Sequence, residues 1–371
     1  MPELPVLGIP LPRPSLWRLA LLFALMSGTE PVLSQSAPSK PFVPTQSSAP
    51  SQSSAPSQAP APPEAAYKAV SGEFQARIDA AALALRDSSP QLKSLPPKYV
   101  QGLAEFVTGN MLFVLLHEMA HASITQMGLP VLGRMEDAAD TFAALRLIRI
   151  GSDFSRRVLA DAAKGWFMAD RRDQKTGVTV AYYDDHGLNQ QRAYQIVCLM
   201  VGSDDEKFKD LAKETKLPEE RQDSCAGDFS NAAYSWDLLL NPHRRTPDQP
   251  KTKIDVVYGP AEGRAATTLQ MARSTRWLET VAEHAADEFA WPAPFTLELQ
   301  TCGSPNARWD LATRKLTLCY ELAAEFADLY RGYGGGADGT RVADSSKRKT
   351  VGPSAFKPTR PVTHHKRKVS R

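Results

Sequence analysis

The 371-residue chain predicts an α+β fold that is mainly helical, with a small antiparallel β portion. Three observations carry that expectation. Apolar residues recur at helical spacing through 98–150 and again through 189–198. Short alternating runs, the signature of half-buried strands, occur near the C-terminal end at 253–259, 295–302 and 315–319. The segments that flank this region have compositions that do not build a core.

Residues 1–34 read as a secretory signal. Arg13 and Arg18 precede the apolar run Leu19–Met26, and small residues follow, with cleavage expected after Ser34 or Ser36. No cysteine lies near that point, which argues against a lipoprotein. Residues 35–66 are a linker. Within 36–63 there are 8 Pro, 8 Ser and 5 Ala, and Gln-Ser-Ser-Ala-Pro-Ser occurs twice in tandem. The folded domain spans 67–335. A basic tail, 336–371, follows: from Ser345 onward there are nine Lys and Arg and no Asp or Glu. The formal net charge is +3, so the rest of the chain carries 3 − 9 = −6. Such a tail suits an anionic envelope polymer or lipid surface. Nucleic acid sits awkwardly with export. The expected location is secreted or periplasmic.

Inside the domain, Glu73–Arg86 reads as a helix, and Pro96-Pro97 punctuates before the next one. That helix begins near Lys98–Gly102 and is almost wholly apolar from Met111 to Leu116, so burial is expected on most sides. Gly128-Leu129-Pro130 breaks it. A further helix runs from Ala138, and residues 151–202 form two helical pieces, the second starting near Asn189. The last helix is Glu321–Arg331. The glycine run after it lacks a following helix and Lys-Ser/Thr, so it reads as a hinge and not a phosphate loop. Four cysteines, Cys198, Cys225, Cys302 and Cys319, allow three connectivities. The sequence-local pairing, Cys198 with Cys225 and Cys302 with Cys319, is expected in an exported chain. Each closure is worth roughly 3 kcal/mol in the entropic picture. No Cys-x-x-Cys is present, which disfavours zinc on cysteines.

The chemistry concentrates at His117-Glu118-Met119-Ala120-His121. Histidines four apart on a helix lie about 40° apart around its axis, so both imidazoles can reach one ion. Glu118 points beside that ion and can take a proton from water there without being a ligand. Catalytic zinc usually has three protein ligands. Glu136 and Asp140 share a helix face shortly downstream. Glu136 is the preferred third ligand, because a short link between ligand helices costs little to close. Asp137 and Glu283 are the rivals; Asp137 points about 100° away from Glu136. Asp140 is placed to accept the free ring N–H of His117 or His121 and fix its tautomer.

H-E-x-x-H followed by E-x-x-x-D resembles the thermolysin-like and related glutamate-ligand zinc peptidases, the gluzincins. The stretch Phe113–Phe142, with Tyr182–Gly202 and Cys302–Leu322, is closer still to a family of bacterial proteins described as putative metallopeptidases, a domain of unknown function. The resemblance covers roughly residues 95–330. It implies a zincin-like fold, Zn2+ on His117, His121 and Glu136, Glu118 as base, and Asp140 behind a ligand histidine. It names no substrate beyond a peptide or protein. In thermolysin-like enzymes a His and a Tyr beyond the metal helices stabilise the oxyanion; His186 is the matching catalytic residue here, with Tyr183 second and Asp185 to orient the imidazole. Asn306-Ala307-Arg308-Trp309 resembles their Asn-Ala-x-Trp edge strand that holds the substrate backbone, although there it precedes the metal helix and here it follows. The leading expectation is an exported zinc hydrolase that cleaves peptide bonds. The alternatives are a non-catalytic zinc-containing envelope binding protein and a helix whose histidines are satisfied without metal.

Overall fold

A computed structural model describes residues 64–334 of the chain. The expected signal segment and basic tail, and nearly all of the expected linker, lie outside the described residues.

The helices come first. They are α1 (Glu64–Ser88), α2 (Pro90–Lys93), α3 (Pro97–Met127), α4 (Met135–Ile150), α5 (Asp153–Thr176), α6 (Asn189–Ser203), α7 (Asp205–Thr215) and α8 (Glu219–Leu240). The C-terminal part alternates: β1 (Ile254–Tyr258), α9 (Arg264–Thr275), α10 (Trp277–Glu288), β2 (Phe295–Gln300), β3 (Ala307–Asp310), β4 (Lys315–Cys319) and α11 (Tyr320–Leu329). A π-helical turn, Tyr330–Gly334, closes it.

α3 is the axis of the molecule. It starts on Pro97, which loses nothing there because the first helical N–H has no partner. It ends at Gly128, whose φ of 65° is the left-handed conformation glycine adopts without penalty. Leu129 N–H then bonds back to Ile124 O at 2.9 Å, closing the last turn. By length and composition α3 could cross a bilayer. Here it is packed by α1, α4, α5, α11 and β3, and Phe106, Met111, Phe113 and Leu115 are fully buried. Residues 128–134 turn the chain back, and α4 lies against α3 with Ala139, Ala143 and Ala144 allowing a close approach.

The fold is mainly helical with a small sheet, as expected, but the sheet is mixed and not antiparallel. Its order is β1-β2-β4-β3. β1 pairs with β2 and β2 with β4 in parallel; only β3 and β4 are antiparallel. The connections explain this. Two helices separate β1 from β2, which is the crossover that parallel neighbours need. Between β2 and β4 the chain inserts β3, which takes the hairpin return and leaves β2 and β4 running the same way. β3 is therefore an edge strand.

Both disulfides join sequence neighbours, Cys198 with Cys225 and Cys302 with Cys319. The first ties α6 to α8. Gly202 permits that contact, since a Cβ there would lie 2.0 Å from the Cys225 carbonyl oxygen.

Candidate metal centre

α3 and α4 meet at the histidine motif. His117 and His121 point their Nε2 atoms at each other across 3.1 Å. Glu136, in the first turn of α4, puts Oε2 3.0 Å from His117 Nε2 and 3.3 Å from His121 Nε2. Tetrahedral ligands at about 2.1 Å from zinc sit about 3.4 Å from one another, so these three atoms are spaced as a ligand set. His117 is buried while His121 and Glu136 are half-buried, so the cluster opens on one side. Two imidazole nitrogens and a carboxylate oxygen are the donors that zinc takes. The residues present therefore fit a metal.

The back of the cluster is braced. His117 Nδ1 lies 2.8 Å from Asp140 Oδ1. Asp140, one turn after Glu136, is itself gripped by Arg192 of α6, with Nε 2.7 Å from Oδ2 and Nη2 2.8 Å from Oδ1. The guanidinium stacks on Trp166 with 3.7 Å between its carbon and the ring centre. Burial works against charge on His117, but Asp140 and Glu136 outweigh it and hold its pKa up at about 9. Burial also opposes charge on Asp140, yet Arg192 and then His117 keep its pKa down at about 2. Burial pushes Glu136 up, and the imidazoles of His117, His121 and His186 pull it far below the carboxylate range.

Glu118 stands beside the cluster, buried. Desolvation raises its pKa, against the opposing charges of the two histidines and a hydrogen bond donated by the Trp309 backbone N–H. Trp309 belongs to edge strand β3, and its indole N–H donates to Thr125 Oγ1 of α3 at 2.8 Å. β3 is thus fastened to the motif helix at two points.

His186 comes in from the α5–α6 connection. Its Nε2 is 2.9 Å from Glu136 Oε2, and its ring stacks 6.2 Å from that of His117. Asp184, not Asp185, orients it: Asp184 Oδ1 accepts the His186 backbone N–H at 2.8 Å and faces Nδ1 at 3.2 Å. An aspartate two residues ahead can bond back to both the amide and the ring, which its neighbour cannot. Tyr183 is 93 % exposed and makes no such approach. The rival ligands fall away. Asp137 pairs with Arg134 at 2.8 Å, and Glu283 sits on α10 facing Arg276 at 3.6 Å.

The structure thus brings His117, Glu118, His121, Glu136, Asp140 and His186 together. Sequence reasoning missed Arg192 and the Trp309 N–H. Arg192 had a signal: it stands four residues before Ile196 and eight before Met200, on the apolar face of α6. A lone Arg in that register needs a buried partner. The Trp309 amide had none, because an edge strand's neighbours are set by tertiary packing.

A separate groove of about 1240 Å³ lies at the carboxyl ends of β1, β2 and β4 and shares no residue with this cluster. Several of its charges are already matched. Arg172 pairs with Glu325, Arg264 Nη2 with Asp328 at 2.7 Å, and Glu321 accepts the Gly303 N–H at 2.7 Å.

No curated protein and no solved structure matches the chain. A family model described as "Putative metallopeptidase" matches residues 88–240 and 258–352, which include every residue of the cluster. With about two-thirds of its length matched, and its histidine motif inside the match, the chain belongs to the DUF4344 family.

Proposed function

We propose that the chain is an exported zinc-dependent hydrolase that cleaves peptide bonds. The observation that carries this reading is the convergence of His117 Nε2, His121 Nε2 and Glu136 Oε2 on one point, with the buried carboxylate of Glu118 beside it. Membership of a family described as metallopeptidases agrees with it. These three residues would hold the ion, which when bound would supply Lewis-acid activation of water and of the scissile carbonyl.

The chain's own residues do the rest. Asp140 holds the Nδ1 proton of His117 and so leaves Nε2 free to ligate. Glu118, raised by burial, takes a proton from the attacking water and delivers it to the leaving amine. His186, oriented by Asp184, donates from Nε2 to the developing oxyanion once Glu136 is occupied as a ligand. β3 borders the sheet; a substrate strand that takes the place of the contacts its Trp309 N–H makes with Glu118 and its Ala307 N–H makes with Asn306 Oδ1 would lie alongside Glu118. The signal-like N-terminus and the two disulfides support export into an oxidising compartment. The basic tail would hold the enzyme at an anionic envelope surface.

Elemental analysis of the purified full chain tests the core of this reading. One zinc per chain is expected, with peptide hydrolysis that disappears in Glu118→Gln while the zinc stays. Absence of zinc from folded protein would overturn it.

A further inference from the structure

Eleven large hydrophobic residues are exposed among those the structure describes, and their distribution is uneven. Six of them fall in two short stretches. Leu132 and Met135 lie in and just after the α3–α4 turn, within four residues of Glu136. Val178, Val180, Tyr182 and Tyr183 lie in the α5–α6 connection, within eight residues of His186. The others are scattered over α1, α8, β1 and the β3–β4 turn. Single exposed hydrophobics are ordinary, but clustering in two loops that meet at one site is not.

The two loops meet at the metal centre. His186 Nε2 is 2.9 Å from Glu136 Oε2, and a Cβ on Gly187 would lie 3.5 Å from Asp137 Oδ1 and 3.6 Å from Arg134 Nη2. Several charged side chains in these loops are turned to one another, Arg134 to Asp137 at 2.8 Å and Asp184 to His186 at 3.2 Å, while Asp185 is exposed. Among these partly paired charges the loops present large apolar side chains to a visitor, with Leu132 fully exposed and Tyr182 and Tyr183 84 % and 93 % exposed.

We propose that these loops form an apolar rim that selects polypeptide segments carrying large apolar side chains next to the bond to be cleaved. The occupant follows from continuity. The two stretches that carry the rim lead along the chain into Glu136 and His186, members of the cluster that the hydrolase reading assigns to peptide cleavage, on which this inference rests. The preferred substrate is an extended stretch of an unfolded or loosely folded protein, where such side chains are exposed. A strongly charged, short wall-type peptide finds little there to match it.

The test uses the full, zinc-loaded chain. Two labelled decapeptides, identical except for a central Leu-Phe or Ser-Asp pair, are bound to the Glu118→Gln protein and followed by fluorescence polarisation. The Leu-Phe peptide is expected to bind about tenfold more tightly. That preference should collapse when Leu132, Tyr182 and Tyr183 are all changed to Ser, and should persist in a Tyr234→Ser control on α8. Circular dichroism checks that the triple variant is folded. Equal binding of both peptides overturns the proposal, as does a preference that survives the triple change. So does a triple variant that loses association with zwitterionic lipid vesicles and keeps its peptide preference. The wild-type protein separates the two readings. Binding preference without any cleavage leaves the rim and removes the hydrolase; cleavage without preference does the reverse.

Discussion

Two places among the described residues gather three side chains able to ligate metal: His117, His121 and Glu136 in one, Cys302, Cys319 and Glu321 in the other. By proximity alone they are equivalent. In the second, however, the two sulfurs are bonded to each other, and Glu321 receives the backbone N–H groups of Cys302 at 3.1 Å and Gly303 at 2.7 Å. Its donor capacity is spent within the protein. In the first, Asp140 engages the rear nitrogen of His117 and leaves the front one directed at the common centre. What separates a metal site from a tight corner is which donor atoms remain uncommitted and whether their far sides are held. Arg192 gives the first cluster a further layer of such support.

Substitutions in the two clusters test that contrast. The largest effect belongs to Glu118→Gln, which should lower peptide turnover by about 10²–10⁴-fold at unchanged zinc content, read by a fluorogenic peptide assay beside elemental analysis. Glu136→Ala should abolish stoichiometric zinc after dialysis, whereas Glu321→Ala should leave one zinc per chain; a loss in the second variant would reverse the ranking of the clusters. Asp140→Asn and Arg192→Met should each weaken zinc about 10–100-fold, measured by competition with a chromogenic chelator, with Arg192→Lys recovering part of the loss.

The pH responses should also differ in sign. His117 in the metal-free protein is raised from 6.5 to about 9, so its contribution to stability is complete below pH 6.5 and is lost as pH climbs through 9. Zinc must displace that proton, so zinc affinity should rise with pH up to about 9. Burial pushes Glu321 up, but its own backbone N–H and those of Gly303 and Cys302 together outweigh this and lower its pKa, so its contribution is present above its ordinary pKa and fades in acid. It is only half-buried, and this last effect is the smallest. Thermal melts of metal-free protein across pH 4–10 would show both limbs.

Much of this was legible in the chain. The α3 motif could be placed because helical geometry alone puts His117 and His121 on one face. Glu136 and Asp140 followed from the same rule, and the start of α6 at Asn189 and both cysteine pairings were readable from local signals. The failures have physical causes. α8 buries only Cys225, Trp236 and Leu240 over 22 residues, so its apolar stripe is too thin to announce a helix. The direction of β2 against β4 depends on β3 taking the return path, which no local pattern encodes. The anchoring of β3 to α3 through Trp309 and Thr125 spans 184 residues of sequence. The Asn306–Trp309 stretch could be matched to an edge strand, but its position beside Glu118 came from packing.

The Cys302–Cys319 bond has one more consequence. All of β3 and its turn into β4 lie between those two cysteines, so the strand proposed to receive substrate is part of a covalent ring. A hydrolase of polypeptides is exposed to its own kind of chemistry, and the exposed β3–β4 turn, with Leu311 at its tip, is an obvious place for a nick. A cut there would open the ring without releasing either piece. The receiving strand would stay on the enzyme after such damage, and the nicked protein would still run as one chain until a reductant parted it.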